Sequence, residues 1–115
     1  MPLTIYHNPR CSKSRQTLTL IEAAGQEPMI VKYLEDPLSA DVIAALLSQL
    51  GFADARKLMR TGEADYKAAG LKEVTDNQAL IKAMAENPKL IERPIVSNGE
   101  KAILGRPPEN VDALL

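Results

Sequence analysis

The sequence predicts an α/β domain built on a four-stranded mixed β-sheet, with a block of helices between its second and third strands. Three features carry this expectation. A strand–helix–strand pattern opens the chain, several short helical patterns fill its middle, and an Asn-Gly hairpin followed by a helix closes it.

Leu3-Thr4-Ile5-Tyr6 is rich in β-forming side chains and reads as a short strand, broken by His7-Asn8-Pro9-Arg10, where Asn-Pro signals a turn. From Cys11 or Ser12 a helix is predicted to run to Ala24, with Leu18, Ile21 and Ala24 at helical spacing and Gly25 as its stop. Residues 28–34 read as a second strand, ended by Glu35-Asp36-Pro37. Ser39 is the expected N-cap of a helix through Leu50, whose buried stripe would be Val42, Ile43, Leu46, Leu47 and Leu50. Residues 53–60 and 63–70 suggest two short helices around Thr61-Gly62. Thr75 and Gln78 have the form of a capping box opening a helix that Asn87-Pro88 stops, and residues 88–91 suggest one more turn. Asn98-Gly99, between Ile95-Val96-Ser97 and residues 101–104, predicts a hairpin, and a last helix is expected from Pro108 to Leu115.

The opening β-α-β segment can form a right-handed parallel pair, and the hairpin can complete the sheet. This order suits a thioredoxin-like sheet. All 115 residues read as one domain, with a helical insertion at about 38–91.

Composition narrows the function. The chain holds one Phe, three Tyr and no Trp, and its net charge is −1. A nucleic-acid binder is normally basic and stacks bases on aromatic rings, so none is expected here. No apolar run is long enough to span a bilayer and no secretory leader is visible. A single cysteine rules out an internal disulfide framework and a multi-cysteine metal cluster, and a reducing cytoplasm is the expected compartment. Charge is unevenly spread. Residues 1–21 contain Arg10, Lys13, Arg15 and His7 but no acid, whereas residues 22–115 carry eleven basic and fifteen acidic side chains.

That cationic start surrounds Cys11. A thiol must ionise to act as a nucleophile, and an unperturbed cysteine is mostly protonated at neutral pH. Cys11 is predicted at a helix N-terminus, where unpaired backbone N–H groups favour a negative sulfur. Arg10, Lys13, Arg15 and His7 add to that preference. The same features suit an oxyanion. Ser14, three residues along, suits a hydrogen-bond donor to the thiolate and equally an ordinary hydroxyl at a helix N-terminus. The motif is Cys-Ser-Lys-Ser with no resolving cysteine, so oxidised Cys11 needs an outside thiol for its recovery. Arg60 precedes Thr61-Gly62, while Arg93 and Arg106 each precede a proline at an end of the predicted hairpin. Taken singly, each reads as a surface arginine more readily than as a site residue.

Residues 5–15, Ile-Tyr-His-Asn-Pro-Arg-Cys-Ser-Lys-Ser-Arg, together with Tyr33-Leu34-Glu35-Asp36-Pro37, Glu92-Arg93-Pro94-Ile95-Val96 and Gly105-Arg106-Pro107, resemble the glutathione- and glutaredoxin-coupled arsenate reductase family, in particular its short bacterial members. The resemblance implies a thioredoxin-like fold with an inserted helical subdomain, and a cis peptide bond at Arg93–Pro94. It implies that Cys11 is the nucleophile, that His7 and Ser14 assist its ionisation, and that Arg60, Arg93 and Arg106 surround arsenate. It further implies glutathione as co-substrate, glutaredoxin as partner, and no metal or bound cofactor. Two other readings use the same residues. One is a thiol-disulfide oxidoreductase acting on glutathione mixed disulfides, and the other an Spx-type RNA-polymerase-binding redox regulator. Regulators of that type sense oxidation through Cys-x-x-Cys, and Ser14 stands at the second cysteine position. An adaptor domain with an inert Cys11 is a further alternative.

Overall fold

The computed structural model describes residues 2–115. Four strands form one sheet in the order β2-β1-β3-β4: β1 (Thr4–Tyr6), β2 (Met29–Val31), β3 (Ile95–Ser97) and β4 (Ala102–Leu104). β1 pairs parallel with β2, Ile5 opposite Ile30, and antiparallel with β3, Ile5 opposite Val96. β3 and β4 form the antiparallel hairpin, with Gly99 at φ 94° in its turn. A parallel pair on one side and a hairpin on the other make the mixed thioredoxin-like sheet.

The chain divides into two compact units, residues 1–36 with 93–115 and residues 37–92. The first holds the sheet, α1 (Ser12–Ala23) and a closing 3₁₀ helix (Pro108–Leu114). Its core is Leu3, Ile5, Ile21, Val96 and Val111. Ile5 and Val96 are fully buried because both sit on central strands. Truncating Ile5 to Ala there would cost about 2–5 kcal/mol. β2 is an edge strand, and Met29 and Ile30 remain exposed on it. It is shorter than the seven residues the sequence suggests, because only residues 29–31 find ladder partners on β1.

α1 ends as expected, with Gly25 at φ 82°. Its buried stripe differs from the predicted one. Ser14, Thr17 and Ile21 are buried, Leu18 is half-buried and Ala24 is exposed. The inward face at the start of α1 is polar, because hydroxyl groups there find partners. Thr17 donates back to the Lys13 carbonyl at 2.8 Å, and Ser14 is bonded in the loop described below.

Gly105 ties α1 to the end of the hairpin. A Cβ at that position would stand 2.4 Å from Thr17 Oγ1 and 2.8 Å from Pro94 Cγ. The Gly105 N–H donates to the Pro94 carbonyl at 2.9 Å. Only a residue without a side chain passes there unstrained, and Arg106 follows directly. Both Arg93–Pro94 and Arg106–Pro107 are cis. The first was expected and the second was not.

The second unit contains α2 (Ala40–Leu50), a 3₁₀ turn (Ala55–Leu58), α3 (Ala64–Ala68), α4 (Asn77–Glu86) and further 3₁₀ turns at Leu71–Glu73 and Pro88–Leu90. α2 packs on α4, and Ile43, Leu46, Leu80, Ile81 and Met84 are buried. Val42, predicted inside, is 37% exposed, since Ile43, Leu46 and Leu47 already fill the inward stripe. The cap of α4 lies one residue beyond the predicted capping box. Asp76, not Thr75, accepts from the Gln78 N–H at 3.2 Å. A carboxylate accepts that bond as readily as a hydroxyl. Arg56 clamps the connecting loops by donating to Tyr66 Oη at 3.0 Å and to the carbonyls of Leu71 and Val74.

Candidate active site around Cys11

Cys11 is the N-cap of α1, with φ −91° and ψ 123°, at the junction where the 7–10 loop leaves β1. Its side chain is half-buried. Burial opposes ionisation. The backbone N–H of Ser14, the Arg93 guanidinium, the Lys13 N–H and the Arg106 guanidinium outweigh it and hold the thiol below its ordinary value. The Cys11 sulfur makes no full cap hydrogen bond. The two N–H groups therefore act on it as oriented dipoles at the helix terminus.

The charges acting on the sulfur differ from those nearest in sequence. Arg93 and Arg106 come from the two ends of the hairpin and reach Cys11 through the fold. Arg106 also donates to the Arg93 carbonyl at 3.3 Å, which holds the two arginine segments together. Of the cations close to Cys11 in the chain, the one that ranks among these influences is Lys13, and it acts through its backbone N–H. Arg15 instead donates to the Pro9 carbonyl at 2.9 Å and so fastens the loop.

His7 and Ser14 form one buried pair, with His7 Nδ1 2.6 Å from Ser14 Oγ. Ser14 Oγ also accepts the Asn8 N–H at 3.0 Å. Burial, then the charges of Lys32 and Arg15, lower the His7 pKa. His7 is accordingly neutral at pH 7 and adds no positive charge beside Cys11, which corrects the expectation from sequence. Ser14 differs from expectation too. Its hydroxyl serves His7 and Asn8, while its backbone N–H acts on the sulfur. With Asn8 donating to Ser14 Oγ, the Ser14 hydroxyl is best placed to donate to His7 Nδ1.

Asn8 is the residue that sequence reasoning passed over. Its N–H holds Ser14, and its Oδ1 accepts the Arg10 N–H at 3.0 Å. The Asn-Pro turn signal marked the bend but could not reveal these partners. Arg60 belongs to the second unit. It pairs with Glu63 at 3.4 Å and donates to the Lys89 carbonyl at 3.5 Å. Among the described residues no group of three or more His, Cys, Asp or Glu side chains is placed to hold a metal ion, and no helix is long and apolar enough to cross a membrane.

A half-buried thiolate held by a helix N-terminus and two arginines can attack an electron-poor centre that carries negative oxygens. Known proteins resemble the chain in sequence and in fold. The model of the ArsC family matches residues 6–114. An arsenate reductase of Haemophilus influenzae is 47% identical over 116 residues, covering 100% of each chain. The protein YfgD of Escherichia coli K12 is 54% identical over 108 residues, covering 93% of this chain and 91% of its own. The solved structure of an arsenate reductase from Vibrio cholerae superposes with a TM-score of 0.96 at 50% identity, covering 100% of this chain and 98% of the other. On sequence and on fold, the chain belongs to the ArsC family.

Proposed function

We propose that this protein reduces arsenate to arsenite, with the Cys11 thiolate as nucleophile and glutathione and glutaredoxin as electron donors. One observation carries the reading. The lone cysteine is held below its ordinary pKa at the start of α1 by backbone N–H groups and by Arg93 and Arg106. Relatives named arsenate reductase at 46–47% identity support the choice of substrate.

Cys11 Sγ attacks the arsenic of bound arsenate. A sulfur–arsenic bond forms, and one oxygen leaves as water. Glutathione adds to the arsenic next, and a second oxygen leaves as water. A glutaredoxin thiol then attacks the glutathione sulfur. A disulfide forms and the bond from that sulfur to arsenic breaks. Its electron pair stays on arsenic, taking arsenic(V) to arsenic(III). Water displaces Cys11 from arsenic, releasing arsenite and restoring the thiol. We assign Arg93 and Arg106 to neutralising the arsenate oxygens, which is where preorganised charge lowers a barrier most. His7, Ser14 and Arg15 hold the loop that carries Cys11. Phosphate has the shape and charge of arsenate and is expected to bind without turnover, since it is not reduced by thiols. The reducing conditions this chemistry needs fit the cytoplasm.

The test is NADPH oxidation coupled through glutathione reductase, glutaredoxin and glutathione. Arsenate-dependent oxidation by the wild type that falls to background in Cys11→Ser is the expected result. No turnover at any arsenate and glutaredoxin concentration would sink the reading. Activity on a glutathione mixed disulfide in the same preparation would then make a thiol-disulfide oxidoreductase the better description.

A further inference from the structure

Beside Cys11, α1 and the C-terminal 3₁₀ helix enclose a groove of about 410 Å³ whose walls include Ser12, Arg15, Gln16, Thr19 and Glu109. We propose that this groove is the seat of glutathione, binding its γ-glutamyl arm so that the cysteinyl thiol lies toward Cys11. The inference rests on the glutathione-dependent reaction proposed above and adds where that thiol binds.

Continuity with the reactive sulfur is the first argument. Both walls begin at the site. α1 starts from Cys11 and lines the groove from Ser12 onward, and the C-terminal segment passes from Arg106 to Glu109. A molecule lying in the groove therefore has one end at Ser12, the residue that follows Cys11.

Shape is the second. Ser12, Arg15, Gln16, Thr19 and Leu20 fall at helical spacing, so they form one continuous stripe along α1. At 1.5 Å per residue that stripe is about 12 Å long. An extended tripeptide spans about 10 Å.

Charge is the third. The groove carries one cation, Arg15, and one anion, Glu109, and no ion pair joins them to each other among the described residues. The amide of Gln16 and the hydroxyl of Thr19 line the same groove. The γ-glutamyl end of glutathione carries an α-carboxylate and an α-ammonium on one carbon. Arg15 suits the first and Glu109 the second. Arsenate is an anion alone and has no use for Glu109.

S-methylglutathione, which cannot react, is the probe, with the reduced full-length protein as receptor and ¹⁵N NMR as readout. Amide shifts at Ser12, Gln16, Thr19 and Glu109 are expected. Glu109→Lys should weaken binding by about tenfold, because an attraction becomes a repulsion. It should raise the glutathione KM in parallel while the arsenate KM holds. Asp112→Lys makes the same charge change on an exposed residue of the same helix outside the groove, and should leave binding unaltered. Unchanged binding in Glu109→Lys, shifts confined to other surfaces, or no binding overturns the assignment. Arsenate turnover that survives such an outcome leaves the proposed reduction standing. Binding in the groove without arsenate turnover removes the reduction and keeps the glutathione seat.

Discussion

α1 and α2 begin in different ways, although both N-caps have extended backbone geometry. At α2, Ser39 Oγ accepts the Val42 N–H at 3.2 Å and Asp41 stands in the first turn, so the positive end of the helix is satisfied by its own side chains. At α1 the cap is Cys11, no side-chain cap bond forms, and the first turn holds no acid. The unit with α2 uses its helix terminus for stability. The unit with α1 leaves its terminus to a sulfur that becomes reactive when charged. The difference shows that an unfinished helix end can mark the reacting group, where a finished one marks structure.

The sharpest way to break this comparison is to remove charge from each end. Arg93→Ala should lower kcat/KM for arsenate by about a hundredfold, the scale of losing one preorganised oxyanion donor. It should also raise the Cys11 pKa, and Arg106→Ala should raise it less, following the order in which the two guanidinium groups act. Alkylation rate against pH reads both. Asp41→Asn, at the start of α2, should leave rate and thiol pKa alone and cost no more than about 1 kcal/mol of stability. Equal effects at the two helices would remove the distinction.

Exchanging the caps comes next. Ser39→Ala should destabilise the protein by about 1 kcal/mol, a fall in Tm of about 4 °C. Cys11→Ser should gain about as much at pH 6, because serine is a better cap. The gain should shrink as pH rises. A group whose folded pKa is depressed contributes stability above its unfolded value, here 9.0, and that contribution is lost as pH falls through the folded pKa. Denaturant midpoints of both variants at several pH values check this. A Cys11→Ser gain that stays constant with pH would contradict the lowered thiol pKa.

The smallest effect belongs to His7. Its pKa is lowered on folding, so the unfolded chain binds the proton more readily and acid costs stability. Below its ordinary value of 6.5, wild type should lose stability relative to His7→Gln until the folded pKa is passed. Parallel stability curves for the two proteins over that range would mean that His7 titrates alike in both states.

Much of this architecture was legible in the chain. Asn98-Gly99 located the hairpin, Ser39 opened α2, and Gly25 closed α1, since each is a local preference that needs no distant partner. Boundaries slipped where neighbours decide them. β2 shrank to the residues that pair with β1, and the polar stripe of Ser14 and Thr17 replaced the expected apolar one.

By itself the sequence determined that Cys11 stands at a helix start within a cationic segment, because capping and charge pattern are local. Only the tertiary structure decided which charges reach the sulfur. Arg15, close in the chain, bonds the Pro9 carbonyl, and two arginines more than eighty residues away act on the sulfur from the ends of the hairpin. The same folding step buried His7 against Ser14 and left it neutral. Electrostatic influence depends on distance through space and on exclusion of water, and neither can be read along the chain.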